Sequence, residues 1–354
     1  MSRNLIGLLT GLNLFFLSTP SVNAADLFDI AVNSSTKQIK SFALVDTVSK
    51  SPRIVEIDAE NGNTLWSWNI PKEFIKTHNS KKPICQGASL ELRQDGSFNV
   101  LIPSFGVVNV KRNKKYTVLV KDQHIDHAAT VLGDGNILFA RGFVDKSEPS
   151  FMIKNLKNQV VWEWKPSDYF STKNSFVHND QTCKSAKRNA SENDKDWAHA
   201  NYVGSLDNGN YLLSMRNFSL FLEVDSKGKI VRKNNKVPGV HQPTPYLDGY
   251  IASDRNCGKE SIWVMSADGS DNKIFTGAFL TVRGIERMAD DHFLITSATT
   301  ISEISLDGKI HYKSHLKGVG AEEETKVTSP RKLTKVGACA PKTLYHAIPT
   351  AFEE

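Results

Sequence analysis

Ala129-Thr-Val-Leu-Gly-Asp-Gly135-Asn-Ile-Leu-Phe139 reads as one strand, a tight turn and a second strand. β-Branched and apolar residues flank a Gly-Asp-Gly turn, which is the local signature of a β-hairpin. The pattern recurs. Leu90-Glu-Leu-Arg-Gln-Asp-Gly96 leads into Val100-Leu-Ile102, and Tyr202-Val-Gly-Ser-Leu-Asp-Asn-Gly209 leads into Asn210-Tyr-Leu-Leu213. Pro245-Tyr-Leu-Asp-Gly249 leads into Tyr250-Ile-Ala252, and Ile285-Glu-Arg-Met-Ala-Asp-Asp291 into His292-Phe-Leu-Ile295. The turns at 96, 135, 209, 249 and 291 are 39, 74, 40 and 42 residues apart. The long interval is one unit plus an insertion, and the polar stretch 165–196 is read as that surface insertion.

A second repeated element follows each hairpin. Val55-Glu-Ile-Asp-Ala-Glu-Asn-Gly62 runs into Leu65-Trp-Ser-Trp68, and Leu222-Glu-Val-Asp-Ser-Lys-Gly228 into Lys229-Ile-Val231. Val264-Met-Ser-Ala-Asp-Gly269 and Ile304-Ser-Leu-Asp-Gly308 follow the same plan. About four strands in about forty residues is a β-propeller blade. Units beginning near 40, 87, 127, 200, 241 and 283 predict an all-β chain, a six-bladed β-propeller whose tail, after about 320, returns to close the ring. Residues 25–354 are read as one such domain.

The first strand of each blade lines the central channel, so one register position in successive blades faces one level of the axis. Eight residues before the turns at 135, 209, 249 and 291 stand His127, Asn201, His241 and Arg283, whereas the turn at 96 gives Ala88. His199 lies on the same strand face as Asn201. Hairpin pairing carries Arg216 back towards both. Three histidines and two arginines converging on one mouth of the channel make a pocket for a compact anion such as sulfate or phosphate. Histidine can also attack an electrophile and carry it covalently.

The remaining histidines lie elsewhere on this reading. His292 is placed in a solvated turn, His311, His315 and His346 in outer strands or the tail, and His178 in the insertion. No GxSxG, HExxH, P-loop or dinucleotide fingerprint is present, and no motif calls for a metal or a cofactor. Trp66, Trp68, Trp162 and Trp164 come late in their blades, where the expected role is packing between neighbours.

The chain has 354 residues, 40% hydrophobic and 23% charged, values of a folded globular protein. Its net charge of +6 is spread along the chain without basic runs interleaved with aromatics, which argues against a nucleic-acid partner. Ser2-Arg3-Asn4, an apolar run from Leu5 to Leu17 and Val22-Asn23-Ala24 read as a cleavable secretory signal over 1–24, giving a periplasmic or secreted protein with no membrane association after cleavage. In that compartment Cys85, Cys183, Cys257 and Cys339 would form up to two disulfides, with three pairings open.

Asp196-Trp-Ala-His199-Ala-Asn201, followed by Asp207-Asn-Gly-Asn-Tyr-Leu-Leu-Ser-Met-Arg216, resembles the bacterial arylsulfotransferase family. So do Val161-Trp-Glu-Trp-Lys-Pro166 and Asp126-His127 ahead of Leu132-Gly-Asp-Gly-Asn136. The resemblance runs from about 50 to 310, to a short form lacking the extra N-terminal β-domain of long members. It implies a six-bladed propeller that moves a sulfuryl group from a phenolic sulfate ester to a phenol. No nucleotide donor or other cofactor takes part, and the reaction passes through a sulfohistidine in a ping-pong mechanism. Carried over by position, His241 is the nucleophile. His199 and Arg216 hold the sulfuryl oxygens, His127 is the acid and base, and Asn201 donates a hydrogen bond. Arg283 is suggested by the register alone. The partners implied are an aryl sulfate donor and a phenolic acceptor. Unlike family nucleophiles, His241 precedes Gln-Pro-Thr-Pro. That difference motivates a second reading, a binding propeller that kept the fold. A third, a quinone-cofactor dehydrogenase, rests on Glu60-Asn-Gly-Asn-Thr-Leu-Trp66, but those propellers usually have eight blades with tryptophan in most of them, whereas this chain has room for about six and Trp pairs end only two.

Overall fold

A computed structural model of the chain describes residues 27–46, 51–75, 88–171, 196–254, 260–266, 271–279, 282–317, 344 and 346–352. The N-terminal segment read as a signal and all four cysteines lie outside the described residues.

A short strand, β1 (Phe28–Asn33), precedes the first blade strands β2 (Ile39–Asp46), β3 (Arg53–Asp58) and β4 (Thr64–Asn69). The second blade is β5 (Ser89–Leu92), β6 (Phe98–Ile102), β7 (Gly106–Val110) and β8 (Tyr116–Lys121). The third is β9 (Ile125–Val131), β10 (Ile137–Arg141), β11 (Phe151–Lys154) and β12 (Val160–Trp164). The fourth is β13 (Ala200–Ser205), β14 (Tyr211–Met215), β15 (Leu220–Val224) and β16 (Ile230–Asn234). The fifth is β17 (His241–Tyr246), β18 (Gly249–Ser253), β19 (Glu260–Met265) and β20 (Asp271–Phe279). The sixth is β21 (Gly284–Arg287), β22 (His292–Thr296), β23 (Thr300–Ser305) and β24 (Ile310–Leu316), and the tail contributes β25 (Ala347–Phe352). All the pairings within blades are antiparallel. The protein is a six-bladed β-propeller, as the repeat predicts.

The hairpin turns of the second, third and fourth blades repeat one geometry, whereas in the fifth Tyr246 pairs directly with Gly249. In the third blade Gly135 N–H donates to Leu132 O, and Leu132 N–H donates to Asn136 O, 2.9 and 2.8 Å. Gly135 takes φ +84°, a conformation glycine adopts without penalty, and this is why the turns end in Asp-Gly or Asn-Gly.

The middle strands explain the apolar runs. β6, β10, β15, β18 and β22 are buried along their whole length, because each blade packs against a neighbour on both faces. The outer strands β12 and β16 are mostly exposed or half-buried. Six hydrophobic clusters lie between the blades, one at each of the six interfaces around the ring. The late tryptophans serve these interfaces. Trp66 packs on Phe98 of the next blade at 5.3 Å, Trp162 on Tyr211 at 5.1 Å, and Trp164 Nε1 donates to Gly228 O at 3.0 Å.

The ring closes at two places. β25 pairs with β2 and becomes the innermost strand of the first blade, while β1 pairs with β24 as a fifth, outermost strand of the sixth. The returning tail was expected from the sequence, and the contribution of β1 was not. The head of the stretch read as a surface insertion is anchored. Tyr169 stacks on Trp164 at 4.9 Å and Phe170 meets Phe218 at 5.9 Å. Residues 172–195 lie outside the described ones.

Candidate functional site at the channel mouth

The innermost strands β25, β5, β9, β13, β17 and β21 surround a cavity of about 360 Å³. Every blade supplies wall residues: Ile348, Glu91, His127, Asn201, His241 and Glu286 are one from each. The cavity is therefore the central channel itself.

The backbone at the heads of three successive inner strands is unusual. His127 (φ +67°), His199 (φ +48°) and Gln242 (φ +40°) all lie in the left-handed region. Strand pairing is irregular at the same places, between Phe139 and Arg141, between Ala200 and Tyr202, and between His241 and Thr244. Left-handed non-glycine residues and bulges re-aim side chains and gather at functional sites. Here His127 and Gln242 are turned into the cavity, and His199 is turned onto His127.

His241 heads β17 and is buried. Its Nδ1 lies 2.9 Å from Gly239 O. A carbonyl only accepts, so Nδ1 carries the proton and the neutral ring has its lone pair on Nε2. Arg283 Nη1 stands 3.2 Å from that Nε2. Asn201 does not reach the ring. Its amide donates to Val240 O at 2.8 Å and so fixes the residue before His241.

In the two preceding blades, His127 and His199 meet edge to face with ring centroids 4.8 Å apart. His127 lines the cavity, and its Nδ1 lies 3.1 Å from Asp126 Oδ1, which also accepts the His127 backbone N–H at 2.8 Å. His199 stands behind it, with Nδ1 2.5 Å from Asp196 Oδ2. Burial pushes the Asp196 carboxyl above its ordinary range, with the charges of Arg216 and His127 opposing the shift. Arg216 follows β14, where its backbone N–H donates to His199 O at 3.1 Å and its Nη2 to Asn217 Oδ1 at 3.2 Å. Thus His127, Asn201, His241 and Arg283 line the cavity, whereas His199, packed on His127, and Arg216, whose backbone N–H donates to His199 O, are not among its lining residues.

Two histidines stand where the sequence reading did not look for them. His346 lies in the tail, as read, but the tail brings it to the site. It directly precedes the innermost strand β25 and lines the cavity, with Nε2 2.7 Å from Glu286 Oε1. The tail closes the ring from inside, so its first residue stands at the channel mouth just as Arg283 does before β21. His292 is not solvated either. It is buried at the start of β22 with Nδ1 2.6 Å from Glu303 Oε1. Glu286 and Gln242 were also missed. Glu286 is three residues beyond Arg283, and Gln242 is turned inward by its backbone, for which the sequence gives no signal. Among the described residues no group of three or more His, Cys, Asp and Glu side chains is placed to hold a metal ion.

Residues 108–232 match the family model described as Arylsulfotransferase (ASST). The matched family is the arylsulfotransferases. The match contains His127, His199, Asn201 and Arg216 and ends before His241 and Arg283. It supports aryl sulfotransferase activity in general, and with it small aryl substrates. No curated protein matches the sequence. Among solved structures, a protein of unknown function from Bacteroides caccae is 14% identical with a TM-score of 0.52, over 87% of this chain and 98% of its own, a likeness of fold. A virginiamycin B lyase from Staphylococcus aureus is 13% identical, TM-score 0.43, over 66% of this chain and 72% of its own. A gluconolactonase from Xanthomonas campestris is 6% identical, TM-score 0.47, over 83% and 89%.

Proposed function

We propose that the protein is an exported aryl sulfotransferase that carries the sulfuryl group on His241. The observation that supports this reading is the tautomer. Gly239 O fixes the proton of His241 on Nδ1, and the Nε2 lone pair faces Arg283 Nη1, a hydrogen bond that opens when Nε2 attacks and the guanidinium passes to the sulfuryl oxygens. Such a lone pair attacks sulfur, and Arg283 stands where the sulfuryl oxygens would come to lie.

In the first half-reaction Nε2 forms a bond to the sulfur of an aryl sulfate and the sulfur–oxygen bond to the ring breaks. The leaving phenolate takes a proton from His127. In the second, the oxygen of an acceptor phenol attacks the same sulfur, the N–S bond breaks, and His127 takes the phenolic proton. Asp196 holds the orientation of His199, which in turn packs against His127. Arg216 lies in this supporting layer and adds positive charge beside it.

The test is mass spectrometry of the mature protein mixed with 4-nitrophenyl sulfate without acceptor, under alkaline workup because the N–S bond is acid-labile. A sulfuryl adduct on His241, with nitrophenolate released and the adduct discharged by phenol, is the expected result. An adduct on another histidine overturns the residue assignment. A folded sample giving neither adduct nor nitrophenolate with several aryl sulfates overturns the activity and favours a binding propeller.

A further inference from the structure

The wall of the cavity next to His241 carries a second polar group that the transfer chemistry does not use. Glu286 lines the cavity with its side chain 29% exposed. Two donors converge on one of its oxygens. His346 Nε2 lies 2.7 Å and Gln242 Nε2 2.8 Å from Oε1. The close approach of His346 is built in. A Cβ on Gly284 would lie 2.7 Å from His346 Cδ2, so only glycine admits the ring there.

Both of these bonds fall on Oε1, and none among the described residues falls on Oε2. The other carboxylate of the wall is different. Glu91 has both oxygens engaged, Oε1 by Thr130 Oγ1 at 3.1 Å and Oε2 by Asn99 Nδ2 at 2.8 Å. Glu286 is thus the anionic pole of the cavity, and Arg283 beside His241 is its cationic pole. They are three positions apart along the chain, roughly 10 Å in extended backbone.

We propose that Glu286 determines acceptor specificity by holding a protonated amine, so that the preferred acceptors are phenols carrying an ammonium group. The ammonium sits on Glu286 while the hydroxyl reaches the sulfuryl group on His241. The proposal rests on the sulfuryl-transfer reading of this same cavity. His346 and Gln242 are positioning residues that aim the carboxylate.

The test compares 4-(2-aminoethyl)phenol with 4-ethylphenol as acceptors from 4-nitrophenyl sulfate at neutral pH. The expected preference in kcat/KM is about tenfold for the amine, equivalent to about 1.4 kcal/mol. In E286Q, which keeps the shape and an oxygen for both donors, the ratio falls to within about twofold of unity. High salt lowers the wild-type ratio as well. No preference in the wild type, or a preference that survives E286Q, overturns the proposal. A second measurement is independent of turnover. Calorimetry of 2-phenylethylammonium against 2-phenylethanol reads the ammonium site directly, and E286Q weakens the first about tenfold and the second little. Equal binding of the two by wild type overturns the proposal even if sulfuryl transfer is found. Absence of transfer with ammonium binding intact means instead that the transferase reading has failed.

Discussion

Arg283→Met tests the central electrostatic claim. The guanidinium nitrogen lies 3.2 Å from the His241 Nε2 that would bear the sulfuryl group. Bonding at Nε2 brings sulfuryl oxygens within hydrogen-bonding distance of Arg283. A unit charge about 4.5 Å away at an effective dielectric constant of about 20 interacts by roughly 4 kcal/mol. Only the part gained between bound donor and transition state accelerates transfer. Half to all of it corresponds to roughly 30- to 1000-fold, and removal of one preorganised donor elsewhere has about 10²- to 10³-fold effects. Arg283→Met is therefore expected to slow the nitrophenolate burst about 10²-fold. The assay is stopped-flow absorbance of that burst with 4-nitrophenyl sulfate in excess. Arg283→Lys keeps charge without the planar fork and should fall between, about tenfold below wild type. A burst in Arg283→Met within threefold of wild type, in a folded protein, would refute the reasoning. A loss confined to KM would show that Arg283 binds the donor and its transition state equally.

Three further predictions follow from the same structure. Phe42 is fully buried at the closure between the sixth and first blades, 5.8 Å from Phe28 and 6.1 Å from Tyr312, so Phe42→Ala should cost about 3–5 kcal/mol of stability by urea titration. Burial holds the Asp196 carboxyl above its ordinary 3.8, so the folded state binds more protons than the unfolded chain. Stability contributed by this group is thus lost as pH rises through that raised value, and Asp196→Asn should flatten that portion of a melting-temperature profile. Burial, and then the neighbouring charge of His292, hold His311 below its ordinary 6.5 against the opposing pull of Glu303 and Asp307, while Lys309 adds to the lowering. Here the unfolded chain binds more protons, so stability is lost as pH falls below about 6.5. His311→Asn should reduce the drop in melting temperature between pH 7.5 and 5.5, and an unchanged drop would contradict the assignment.

The blades were legible in the sequence because each repeats the same two local signals. Asp-Gly and Asn-Gly turns demand left-handed backbone, and a strand buried on both faces must be apolar throughout. Residues 137–140, Ile-Leu-Phe-Ala, are such a strand, and all four are fully buried. The register of His127, Asn201, His241 and Arg283 was legible for the same reason. A fixed distance from a turn is a fixed height along the channel. What escaped the sequence were contacts between segments far apart in it. Residue 346 lies 60 positions from its carboxylate partner Glu286, and Glu303 lies 264 from Ile39, whose backbone N–H it accepts at 2.8 Å.

The His346 contact follows from one topological step. A propeller whose last strand enters on the inside places that strand's leading residue at the channel mouth, next to the head of the preceding blade. His346 therefore meets β21, whose Gly284 makes room for it and whose Glu286 accepts its hydrogen bond. The same strand, β21, follows directly on Arg283. One blade edge thus presents a cation to the nucleophile and an anion to whatever approaches it. If the ring were closed from outside alone, as β1 does, Glu286 would lack its histidine donor. His346→Phe separates these contributions, since it keeps a ring against Gly284 while removing the donor. Loosening Glu286 in this way should lower the preference for ammonium-bearing acceptors and leave the His241 adduct forming from 4-nitrophenyl sulfate. Equal loss of both would mean that His346 supports the fold of the mouth as a whole and has no separate part in choosing the acceptor.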